Sequence, residues 1–158
     1  KRTLELLVVN KARALEELEN DWTCTMALAE TLQMKFAVPF RVGHNFASGI
    51  VTVARRDGWL PKNFPFEEAR RIYREVTEKL LGEASELPLS EPDFRQTLHP
   101  EYVVRTRVGV GSPAPESTAK GLEASLARLE ADERWVKERR EKLAAAEANL
   151  DSLFNTYL

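Results

Sequence analysis

Beyond Pro115 the chain runs to its end without another proline and with one glycine, Gly121. The stretch is rich in Ala, Glu, Arg, Lys and Leu, the strong helix formers. Leu122, Leu129, Val136, Leu143, Leu150 and Tyr157 recur every seven positions. A companion column four residues later, Leu126, Glu133, Arg140, Glu147 and Phe154, is apolar only at its ends. An unbroken helix over Pro115–Thr156 would run roughly 60 Å, longer than a domain of this size can cover by itself. Two readings follow: one long helix packed on a partner, or a helical hairpin whose turn the sequence does not mark.

The rest of the chain reads as shorter helices. Leu4, Leu7, Val8, Lys11, Leu15 and Leu18 lie on one helical face, predicting a helix over about 2–19. It begins at Lys1 with no N-cap signal, as expected of a segment cut from something longer. Asn20-Asp21 breaks the pattern, and Thr23 or Thr25 can cap a second helix carrying Met26, Ala29, Leu32 and Phe36. Pro39 suits the first turn of a third, whose apolar face is Phe40, Gly43, Phe46, Ala47, Ile50, Val51 and Ala54. Gly43 and Gly49 cost about 1 kcal/mol each relative to Ala, which predicts close approach of other helices.

A fourth helix opens at Pro65 and stops at Gly82, with Ala69, Ile72, Tyr73, Val76 and Leu80 facing inward. Its Glu67, Glu68, Arg70, Arg71, Arg74 and Glu75 form a solvated face. Ser90 and Asp93 resemble a capping box for a short fifth helix through Leu98. His99-Pro100 forces a turn, and Tyr102–Val110 reads as an extended loop, since no partner strand is visible. The expected fold is all-α.

With 158 residues and a net charge of −2, the chain offers no electrostatic reason to bind nucleic acid or an anionic membrane. A helix-turn-helix reading of residues 23–57 has only Arg55-Arg56 in its favour. No apolar run reaches the length of a membrane span. The single cysteine, Cys24, cannot form an internal disulfide and suits a reducing, cytoplasmic setting.

Reactive groups are sparse. The two histidines, His44 and His99, have no ligand partners at metal-binding spacing, so no metal or cofactor is expected. Gly109-Val110-Gly111 lacks the lysine and hydroxyl of a phosphate loop and reads as a hinge or a helix entry. Arg41, His44 and Asn45 share a helix face. They could recognise a carboxylate-bearing ligand or a neighbouring subunit. The blander reading is a buried, hydrogen-bonded histidine beside a salt-bridged arginine.

Four pieces in order resemble the C-terminal region of argininosuccinate lyases, members of the fumarase/aspartase superfamily. They are Val9-Asn10-Lys11, Leu28-Ala29-Glu30-Thr31-Leu32, Val38-Pro39-Phe40-Arg41 followed by His44, and Leu98-His99-Pro100-Glu101 leading to Gly109-Val110-Gly111-Ser112-Pro113-Ala114-Pro115. Asn45 stands where a second histidine is common in that family. The resemblance implies that residues 1–20 end a central-bundle helix and 21–114 form a helical C-terminal domain, while the heptad pattern itself makes 115–158 a long, coiled-coil-like helix that runs past the family's usual end. It also implies a parent enzyme of arginine biosynthesis, a homotetramer, that eliminates fumarate from argininosuccinate. The family's serine-loop signature is absent, so no catalytic residue is carried over, and Arg41, His44 and Asn45 are the candidate substrate-binding residues. Expected partners are the rest of the parent chain and its sister subunits. The competing reading is a helical interaction module built on the terminal helix.

Overall fold

The computed structural model describes residues 2–157, which are all-α, with no strand among them. Contacts group the chain into two units, the first ending at Thr106 and the second beginning at Arg107. Lys1 and Leu158, the outer ends of the first and last predicted segments, lie outside the described residues.

The first predicted helix is interrupted. Helix α1 spans Arg2–Glu5 and α2 spans Lys11–Asn20. Asn10 caps α2, its Oδ1 accepting the N–H of Arg13 at 3.0 Å. Leu4, Leu6, Leu7, Val8 and Val9 are all exposed, so no packing holds the intervening turn helical and the asparagine cap decides the break. The second helix start also differs from expectation. Asp21 accepts the N–H of Trp22 at 2.8 Å and opens a 3₁₀ turn, Trp22–Thr25. Thr25, at the N-cap of α3 (Met26–Phe36), makes no side-chain cap, because its hydroxyl donates back to the Trp22 carbonyl. Leu28, Ala29 and Leu32 form the buried side of α3, while Met26 and Phe36 are exposed.

Helix α3 ends on Ala37, which adopts the left-handed conformation (φ 54°), its N–H donating to the Gln33 carbonyl at 3.1 Å. Pro39 then serves as the N-cap of α4 (Phe40–Asp57). Val42, Gly43, Phe46, Ala47, Ile50 and Ala54 bury the α4 core face, with Val42 in the place expected for the exposed Phe40. The two glycines do what their cost predicted. A methyl at Gly43 would lie 2.8 Å from Ala29 Cα of α3, and one at Gly49 would lie 2.7 Å from an Ile72 methyl.

Helix α5 (Phe66–Leu81) supplies that isoleucine and packs on the other side of α4. Phe46 meets Tyr73 edge-on at 5.3 Å, and Phe64 meets Trp22 likewise at 5.5 Å. Helix α6 (Glu91–Thr97) starts as expected, Ser90 Oγ accepting the Asp93 N–H at 3.3 Å. Phe94 from α6 completes the core with Phe46, Phe64, Leu28, Leu32 and Ile50.

Tyr102–Val110 is not an extended loop throughout. Pro100 opens α7 (Pro100–Thr106), and the Val103 N–H donates to the His99 carbonyl at 3.1 Å. Alternating β-branched residues suggested extension, but a proline in the first turn sets the φ that a helix needs.

In the second unit a turn at Gly109–Ser112 leads into α8. The Ser112 N–H donates to the Gly109 carbonyl at 3.1 Å, and Gly111 has φ 77°. Helix α8 runs unbroken over Pro115–Thr156, 42 residues, which excludes the hairpin alternative. It contains no buried residue.

Candidate functional site

Helix α4 presents Arg41, His44 and Asn45 together on its exposed side. The three arise from one geometric fact: Val42, Gly43, Phe46, Ala47 and Ile50 turn inward, which leaves Arg41, His44 and Asn45 on the opposite side of the helix. Asn45 Nδ2 donates to the Arg41 carbonyl at 2.8 Å, and the His44 ring lies 6.2 Å from that of Phe40. Arg41 makes no ion pair among the described residues. The expectation of a buried histidine beside a salt-bridged arginine is therefore overturned. The spacing does set the three on one face, and its direction follows from Val42, not Phe40, taking the inward position.

A second constellation escaped the sequence. Glu19 of α2, Pro61 and Lys62 of a 3₁₀ turn (Pro61–Asn63), and Arg95, Leu98 and His99 of the α6 end line a groove of about 330 Å³. His99 Nε2 lies 3.9 Å from Glu19 Oε1. Arg95 is fixed twice, Nη1 donating to the Phe64 carbonyl at 2.8 Å and Nη2 to Glu91 Oε1 at 2.9 Å. Its guanidinium therefore braces α6 against the Pro61–Phe64 segment. Lys62 Nζ donates to Asn20 Oδ1 at 3.4 Å, tying the same segment to the end of α2. An adjoining groove of about 520 Å³ shares Arg95 and His99 and adds Tyr102 and Arg105 of α7. The i, i+4 spacing of Arg95 and His99 was the available signal. By itself it points to no site, because Glu19 and Lys62 are remote in sequence. These grooves can hold a ligand by charge and shape, but they contain no nucleophile paired with a base. Among the described residues no three His, Cys, Asp or Glu side chains gather to hold a metal ion.

The polar face of α5, expected as a solvated face, carries a network of ion pairs. Arg71 binds Glu68 and Glu75, while Glu86 accepts from both Arg70 and Arg74. The hydrogen bond from Arg71 holds the Glu68 carboxyl below its ordinary value, and that from Arg70 does the same for Glu86. Such shifts mark structural pairing on an exposed face rather than an acid or base held ready.

No family model matches the chain. Individual proteins do. The argininosuccinate lyase of Methanococcus aeolicus is 26% identical over 150 residues, covering 95% of this chain and 28% of that protein. That of Methanocaldococcus jannaschii is 28% identical, covering 89% and 26%. The enzyme of Methanothermobacter thermautotrophicus is 30% identical, covering 78% and 25%. The chain matches the C-terminal portion of argininosuccinate lyases. The chain thus spans about a quarter of the length of the relatives it matches. Two solved structures share its fold, an EDDS lyase variant with bound fumarate and EDDS lyase in complex with formate. Each has a TM-score of 0.73 at 22% identity, over 90% of this chain and 28% of the solved one. No helix among the described residues is long and apolar enough to cross a membrane.

Proposed function

We propose that this chain is the C-terminal, non-catalytic part of an argininosuccinate lyase-like enzyme working in the cytoplasm on the route to arginine. The rest of that enzyme would supply the chemistry, β-elimination of fumarate from argininosuccinate. The reading rests on one observation: relatives of a single name align over 78% to 95% of the chain, while the chain itself lacks the serine-loop signature. Without that loop no positioned group can remove the proton that elimination requires. In a tetramer built on central helices, the first unit would sit near the mouth of a shared site. There the exposed Arg41, His44 and Asn45 would meet the carboxylates of a ligand or a neighbouring subunit.

The test is fumarate release from argininosuccinate, followed by ultraviolet absorbance. The purified chain should give no signal above a buffer blank, and turnover would show that it carries a complete site. A protein joining this chain to a preceding segment with the serine loop should turn over. A folded oligomer of that kind with no turnover would sink the lyase assignment.

A further inference from the structure

We propose that α8 is a self-association element, two copies packing antiparallel and aligned nearly end to end. The seven-residue stripe is open along its length: Leu122, Leu129, Leu143 and Leu150 are 60%, 52%, 65% and 67% exposed. A helix of about 60 Å with such a stripe is the half of a two-helix seam. At its centre Leu129, Asp132, Glu133, Val136, Lys137 and Arg140 line a shallow groove of about 520 Å³.

Charge selects a second copy and fixes its direction. In a parallel pair, Glu133, Arg140 and Glu147 would each face their own counterpart within the seam, three like-charged layers in an apolar contact. In an antiparallel pair the companion column faces the stripe instead. With the two helices centred between Arg134 and Trp135, Glu133 of one copy lies level with Val136 of the other. Arg140 lies level with Leu129, one layer from the other copy's Glu133. The flanks then complement each other. Glu130 meets Lys137 and Asp132 meets Arg139, and the two-fold axis makes each contact twice. The like-signed flank, Glu116 with Asp151, falls at the helix ends. Sliding by one heptad either way sets Lys137 against Lys137 and Arg139 against Arg139, or Glu130 against Glu130 and Asp132 against Asp132. The aligned register therefore joins full overlap to opposite charges.

All four flanking side chains are exposed, and Asp132 and Arg139 are seven apart, too far to pair within one helix. Asp132→Arg and Arg139→Asp can thus be made without touching a core. Sedimentation equilibrium across a concentration series should show a dimer of the unmodified chain. Each single reversal should raise its dissociation constant roughly tenfold, two repulsive contacts replacing two attractive ones. The double variant Asp132→Arg/Arg139→Asp should recover most of the loss. A parallel pair would instead set Asp132 beside Lys137, and the double variant would not recover. A monomer at every concentration, a dimer indifferent to the single reversals, or a double variant without recovery would each overturn the proposal. Far-UV circular dichroism of each variant confirms that the helices persist. The result is independent of the lyase reading, which the fumarate assay judges.

Discussion

Thr77 is the one fully buried polar side chain among the largest buried residues, and each of its bonds has a purpose. Its hydroxyl lies 3.1 Å from the Tyr73 carbonyl and 3.0 Å from that of Arg74, and accepts the N–H of Ser85 at 2.9 Å. That last bond fastens the segment after Gly82 back onto α5. Thr77→Val keeps the shape but strands the Ser85 N–H, so it should cost about 1–2 kcal/mol. Urea unfolding at constant slope would measure it, and an unchanged midpoint would show that water satisfies the amide. Neither Thr77 nor the Glu19–His99 approach was legible in the sequence. The second joins residues far apart in the chain, the first needs the turn after Gly82 to fold back on α5, and a threonine inside a helical apolar pattern gives no sign that its hydroxyl is spoken for. The Arg41, His44 and Asn45 face was legible as a face. Its exposure was not, because Phe40 and Val42 compete for the same inward turn and only packing chooses between them.

At the scale of elements, the glycines of α4 make a controlled pair. Both occupy helix interiors, where alanine would gain about 1 kcal/mol of propensity. They differ in what stands opposite. The Gly43 methyl would strike the backbone of Ala29, which α3 cannot move without separating from α4. The Gly49 methyl would strike the end of the Ile72 side chain, which can rotate away. Gly43→Ala should therefore lose about 1–3 kcal/mol, the usual cost of overpacking. Gly49→Ala should lie close to neutral, strain and propensity offsetting each other. Comparing their thermal midpoints tests the helix contact itself, and equal effects would show that the α3–α4 approach is looser than described. Helix boundaries set by proline, glycine and serine caps were readable in advance. The break at Asn20-Asp21 was readable too, whereas those set by Asn10 and Ala37 were not, since such residues stop a helix only when nothing packs across them.

Across the whole molecule the net charge is −2, yet charge is unevenly used. In the first unit three paired carboxyls are held below their ordinary values: the Arg71 bond lowers Glu68, the Arg70 bond lowers Glu86, and the Arg56 bond lowers Asp57. Each folded-state value lies beneath the unfolded one, so in mild acid the unfolded chain binds more protons. These pairs thus contribute fully above the ordinary carboxylate range, and their contribution falls away as pH drops through the lowered values. Stability of the first unit should decline between about pH 5 and pH 2, and the urea midpoint should follow it. Glu86→Gln should flatten that decline, since one of the protons taken up on unfolding no longer exists. Because the pairs are exposed, about 1 M salt should weaken them as well, the screening length being about 3 Å there. An acid midpoint equal to the neutral one would mean that the α5 ion pairs, however regular in geometry, are as well solvated unfolded as folded. The first unit would then rest on Phe46, Phe64, Phe94 and their aliphatic neighbours alone.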